Sequence, residues 1–268
     1  HLRCGANLMP IQQMMLGLGG SKIITSNLLF HYDIGHSSSY SGSGTTVNDL
    51  SGNGNDATIL APESPSYSSN DGGYLIFNNE AEANHPSNHT AIEVDGSNNN
   101  SDFAIGNDQF SFEVWLYLDD VVSNAQNDEL YIGGQDRNGT ANKGVVFKYI
   151  HYSSTNQLSV TFGDSVIGES SGWGVVHTIP TTTWTYVATG RRSSNEVFIN
   201  VDGDDKYTAT FPARELLTPY RKFEIGNGVF SSKEWDGRIA IARYSIGGSL
   251  SESDLLHNYN TQKSRFGL

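Results

Sequence analysis

The sequence predicts an all-β protein: an antiparallel sandwich of two sheets over residues 22–268, with a short C-terminal helix and an N-terminal arm over residues 1–21. Three observations predict it. Apolar residues alternate with polar or aromatic ones at period 2, the pattern of a strand with one face on a core. Such runs arrive at short intervals with no helical pattern between them, which favours antiparallel over parallel pairing. The composition also fits many short strands joined by polar turns, with 29 glycines, 37% hydrophobic and only 17% charged residues.

The first strand is expected in "NLLFHYD" (27–33). The Ser, Gly and Asn-rich segment 34–73 then reads as long loops around a short strand at Ala57 to Leu60, and "YLIF" (74–77) follows. "FSFEVWLYL" is the clearest strand. Phe110, Phe112, Val114, Leu116 and Leu118 form its core face, and Ser111, Glu113, Trp115 and Tyr117 take the other, so Glu113→Gln is expected to be nearly silent. Further strands are expected at 144–150, 157–162, 183–189, 196–201, 206–211, 222–226 and 237–247. Asp202-Gly203 forms a hairpin tip, because Asp and Gly tolerate the positive φ of primed turns. In "SLSESDLLHNYN", Ser251 and Asp254 have capping-box spacing, and Leu255, Leu256 and Tyr259 share one side of the helix that follows.

The totals exclude several classes. A net charge of −13, with no run of Lys and Arg longer than a pair, speaks against nucleic acid. No stretch approaches the ~20 apolar residues that span a bilayer, so membrane insertion is not expected. Cys4 is the only cysteine, so neither an internal disulfide nor a cysteine-based zinc cluster can form.

The C-terminal third, "WTYVATGRRSSNEVFINVDG", then "FEIGNG", then "WDGRIAIARYSIGGSLSESDLLHNYNTQKSRFG", resembles the concanavalin A-like, laminin-G-like jelly rolls. That family has a tryptophan strand, a hairpin ending in D-G, an I-G strand, an F/W-x-G-x-I strand and a short capped helix. Here these correspond to Trp184, Asp202-Gly203, Ile225-Gly226, Trp235 to Ile239 and the helix near Ser251, and the resemblance covers about residues 26–268. It implies a jelly-roll fold. The ending "HNYNTQKSRFGL" and the start "MPIQQMMLGLGG" are similar to those of tailed-phage structural proteins, particularly marine ones. That similarity implies a place on the virion surface, as a capsid decoration or a tail or fibre appendage made in the host cytoplasm.

Candidate sites follow from residue chemistry. Asp49, Ser51, Asn53 and Gly54 match the first half of a calcium loop, in which alternate side chains point oxygens at one centre; Asp56 is a further oxygen donor. The twelfth position would be Leu60, so the bidentate glutamate is missing, and the competing reading is a set of Asx-turns joining two strands. Asp33 or Asp236, converging from elsewhere, would complete a calcium site. Tyr149, Tyr152, Trp173 and Trp235 are candidate stacking platforms for sugar rings, against a competing place in the core. Ile11, Met14, Met15 and Leu16 form a short apolar segment suited to docking on a partner subunit, either another virion protein or a second copy of the chain.

Catalytic signals are weak. "GESSG" (168–172) matches a nucleophile elbow, but a strand rather than a helix is expected after it. The alternating carboxylates that glycosidases of this fold place on one strand do not occur, and Glu80 with Glu82 is a poor substitute. His85 and His89 are separated by Pro86, which opposes a shared helical face. The expected function is therefore a non-enzymatic virion structural protein exposing a jelly roll that binds host surface glycans. The alternatives are a soluble carbohydrate-binding lectin and, more remotely, a glycoside hydrolase.

Overall fold

In the computed structural model, the structure describes residues 22–60, 65–77, 90–97, 100–119, 129–135, 137–138, 141–142, 144–152, 155–163, 170–192, 195–210, 222–227 and 234–268. The first half of the chain contributes β1 (Leu28–Asp33), β2 (Thr46–Val47), β3 (Ala57–Ile59), β4 (Ser66–Ser68), β5 (Tyr74–Phe77), β6 (Ile92–Val94), β7 (Phe110–Leu118) and β8 (Glu129–Gln135). Then come β9 (Arg137–Asn138), β10 (Ala141–Asn142), β11 (Gly144–Tyr152), β12 (Thr155–Gly163), β13 (Ser170–Val176), β14 (Trp184–Arg192), β15 (Glu196–Val201), β16 (Asp204–Thr210), β17 (Phe223–Ile225) and β18 (Gly237–Ile246). The α-helix among the described residues, α1 (Glu252–Gln262), runs on into a 3-10 turn, Lys263–Phe266.

Two antiparallel sheets dominate. The first has the order β16-β15-β14-β7-β18-β5-β4, with β1 also paired to β18; the second has the order β13-β12-β11-β8-β17-β6-β3-β2. Strand β7 is central in the first sheet, with Val114 opposite Val187 on one side and Ala242 on the other. Phe110, Phe112, Val114, Leu116 and Leu118 all enter the core between the sheets, as their alternation predicts. There they meet Phe147, Leu158 and Val160 of the second sheet and a cluster of Phe30, Phe223 and Tyr244 rings.

The opposite face of β7 departs from the expectation. It carries a second core in which Trp115, Trp184, Tyr186, Ala188, Phe198 and Ile241 are covered by Leu255 of α1 and by Phe266. Phe266 stacks on Trp115, with ring centroids 4.2 Å apart, and Trp184 lies 4.7 Å from it on another side. The chain thus packs as sheet, sheet and helix rather than as a bare sandwich.

Glu113 is consequently not at the surface. It is 1% exposed and forms an ion pair with Arg243, its cross-strand neighbour, at 3.1 Å. Asn258 of α1 donates to Glu113 at 3.0 Å, and Tyr186 Oη makes a further short hydrogen bond to it. The expected silence of Glu113→Gln is therefore corrected: a charge this deep persists only because it is paired and hydrogen-bonded.

The helix begins as its capping box predicts. Ser251 Oγ accepts from Asp254 N at 3.2 Å, and Asp254 Oδ2 accepts from Ser251 N at 3.0 Å. Of the three residues expected on one face, Leu255 is buried and Tyr259 is half-buried against Trp115, whereas Leu256 is 44% exposed. The hairpin tip of β15 and β16 has φ of 55° at Asp202 and 85° at Gly203, as a primed turn requires. A Cβ at Gly203 would also lie 2.7 Å from the backbone of Leu256, so this glycine lets the hairpin rest against α1.

Candidate functional site

The loop 48–56 behaves as a stitch. Asp49 Oδ1 accepts from His31 N at 2.9 Å and from Ser51 N at 2.8 Å; Asp49 Oδ2 accepts from Ser51 Oγ at 2.6 Å and from Asn55 N at 3.1 Å. Asp56 Oδ1 accepts from Asp49 N at 2.8 Å. Both oxygens of the carboxylate meant to anchor calcium are thus taken by protein donors, and the geometry is that of Asx-turns tying the loop to β1. Asp33 does not converge on it but pairs with Arg265 at 2.7 Å. Among the described residues, no three His, Cys, Asp or Glu side chains come together as a metal would need.

Two of the four aromatic candidates are corrected. Tyr149 and Trp235 are both 0% exposed and belong to the core between the sheets, so neither offers a ring face to a sugar. Their large apolar area is better used there, and Trp235 Nε1 donates to the Tyr117 carbonyl at 3.2 Å. Tyr152 ends β11 and Trp173 lies within β13 opposite Val160; their side chains lie outside the described residues. So do Ile11, Met14, Met15 and Leu16, together with Glu80, Glu82, His85 and His89. Ser170 of the elbow-like motif opens strand β13, with no helix after it.

What the structure does assemble is a cleft of about 500 Å³ at one end of the first sheet. Four separate segments line it: residues 27–29 at the start of β1, the loop amides Asn53 and Asn55, the segment bearing Ser101, Asp102, Ala104 and Asp108, and Ile246-Gly247 at the end of β18. The volume is in the usual range for small-molecule sites, and the lining mixes Asn, Ser and Asp side chains with Leu28, Leu29, Ala104 and Ile246.

Each wall is held from behind. Asn53 Nδ2 donates to the Leu28 carbonyl at 2.6 Å, and Asn55 Nδ2 to the Leu29 carbonyl at 2.7 Å. Asn27 has φ of 56°, a left-handed conformation that Asn tolerates better than most residues. Arg191, 2% exposed, reaches out of β14 to the backbone of the third wall: Nε donates to Asp108 O at 2.9 Å and Nη2 to Gly106 O at 3.0 Å. Burial lowers the Arg191 pKa from its ordinary value, and the nearby Asp108 charge opposes that shift. Of the residues singled out from sequence, only Asn53 lines this cleft. Its other members come from loops far apart in the chain, and their only prior signal is the Asn, Ser and Asp content of those loops.

The model of the concanavalin A-like lectin/glucanases superfamily, of laminin-G type, matches residues 86–246. No curated protein sequence matches the chain. Among solved structures, the chain is similar to domain 4 of AbnA, a GH43 extracellular arabinanase from Geobacillus stearothermophilus, in complex with arabinotriose. Identity is 17% and the TM-score 0.59, over 87% of this chain and 98% of that one. It is also similar to the botulinum neurotoxin serotype G binding domain, at 14% identity and a TM-score of 0.62, and to the neurotoxin DC binding domain in complex with rat synaptotagmin II, at 12% and 0.63. Each of these two covers 89% of this chain, which spans about half their length, 52% of each. At such identities the likeness establishes the fold. With the family model matching more than half of the chain and the two antiparallel sheets in place, this protein belongs to the concanavalin A-like lectin/glucanases superfamily, as a laminin-G-type jelly-roll sandwich.

Proposed function

We propose that the protein is a non-enzymatic binding module that takes a glycan in the cleft between residues 27–29, 53–55 and 101–108, and that it is displayed on a phage virion. The cleft carries the reading: it is the right size for a short oligosaccharide and is rich in amide and carboxylate oxygens that accept sugar hydroxyls. Fold neighbours solved with arabinotriose and as receptor-binding domains support binding as the use of this fold, although fold alone is a weak guide to function. Against catalysis stands the position of Glu113, an acid on the central strand that is pinned by Arg243 and Asn258 beneath α1, where no substrate reaches it. Virion display is supported by the phage-like sequence ends.

A glycan array probed with the whole chain tests the binding reading. Saturable binding of at least one glycan is expected, weakened about tenfold or more by Asp102→Ala or Asp108→Ala with the melting temperature retained. Binding that ignores both substitutions removes the cleft from consideration. For display, deleting residues 1–20 is expected to leave circular dichroism unchanged and to abolish incorporation into particles. Normal incorporation of the shortened chain would place the attachment surface on the jelly roll.

A further inference from the structure

The charge of the cleft is one-sided. Among the described residues, its charged lining groups are Asp102 and Asp108, and no Lys, Arg or His lines it. Arg191, behind one of its walls, is buried and donates to the carbonyls of Gly106 and Asp108, so its charge is directed at the backbone. Asn53 and Asn55 both line the cleft and direct amide hydrogens at the carbonyls of Leu28 and Leu29, which turns part of their donor capacity toward the protein. Asp49 and Asp56, behind these amides, add negative charge, and the chain as a whole carries −13.

A surface of this kind recognises hydrogen-bond donors. A sugar hydroxyl can donate, and an ammonium can donate while also being attracted. A carboxylate or sulfate offers only acceptors and is repelled by like charge, and such juxtapositions are a strong source of discrimination. Resting on the glycan-binding reading above, we propose that the cleft selects neutral and amino-substituted glycans and rejects uronic-acid, sialylated and sulfated ones.

The test is a matched set measured by titration calorimetry on the full chain: a neutral oligosaccharide, its uronate counterpart and its glucosamine counterpart. At low salt, about 10 mM, the uronate is expected to bind about tenfold or more weaker than the neutral sugar and the glucosamine form at least as tightly. The differences should shrink near 1 M salt as the charges are screened. In Asp102→Asn with Asp108→Asn, the ratio of neutral to uronate affinity is expected to fall toward one, whatever the absolute affinities become. Those substitutions leave the Asp108 carbonyl that Arg191 holds, and a retained melting temperature checks the fold. Uronate binding equal to neutral binding, or a ratio that the double variant leaves unchanged, overturns the selectivity while leaving glycan binding intact. If none of the three sugars binds, nor any glycan on the array, it is the binding reading that fails, and the selectivity fails with it.

Discussion

Glu113 and Arg243 show how one buried pair redefines a strand. Removing one member of such a pair leaves the other charged without compensation, at a cost of about 3 kcal/mol or more. Arg243 Nη1 is buried with no hydrogen-bond partner among the described residues, so the site has little slack. Glu113→Gln should therefore lower the urea midpoint clearly, and Val114→Asp, which puts an unpaired charge between the sheets, should lower it further. An unchanged midpoint for Glu113→Gln would contradict the ion pair. His31, opposite Arg243 in the β1–β18 register, adds a pH dependence. Burial, reinforced by the Arg243 charge, lowers its pKa from 6.5 to about 4, against opposing effects of Asp33, Glu113 and Asp49. Because the folded-state value is depressed, the unfolded chain takes up the proton first, and stability is lost as pH falls from about 6.5 toward 4. The melting temperature of His31→Gln should fall less over that window than that of the unmutated chain; parallel curves would exclude His31 as the source.

At the scale of elements, the loop 48–56 is a fastener whose strength comes from one carboxylate. Asp49→Ala removes four acceptor contacts at once and should lower the melting temperature, equally with and without EDTA, whereas a calcium loop would make the loss depend on chelator. Elements governed by local chemistry were legible in the sequence: β7 by its alternation, the Asp202-Gly203 turn by its φ requirement, and the start of α1 by its cap. The second covered face of β7 was not, because period 2 identifies one apolar face and cannot say that Trp115 on the other will meet Tyr259 and Gln262 of a helix near the far end of the chain. Strand β8 was also missed, since its Gly133-Gly134 pair reads as a breaker. The reason for Gly133 is tertiary: a Cβ there would lie 2.9 Å from the ring of Phe112. The cleft was illegible for the same reason, being made of four short segments that no spacing rule connects.

For the molecule as a whole, the C-terminal segment closes the structure. Arg265 donates to the carbonyls of Asp71, Gly72 and Gly73 and pairs with Asp33, while Phe266 fills the space between Trp115 and Trp184. Phe266→Ala should cost about 3 kcal/mol by opening a cavity under two tryptophans. The change should appear both in the denaturation midpoint and in tryptophan fluorescence; a silent substitution would mean that the outer face is not a core.

The pairing of β1 with β18, and of Ile24 with Asn258 across 234 residues of sequence, also sets a schedule. At synthesis rates of about 5–20 residues per second, the earliest strand leaves the ribosome on the order of tens of seconds before its partner exists. Until then its Phe30 and Tyr32 have no finished interior to enter, and contacts this distant in sequence make closure slow once all strands are present. The nascent chain therefore depends on an unpaired strand staying unaggregated, and the polar Ser, Gly and Asn stretch that follows β1 suits that interval because it gives a stray neighbour little to pair with.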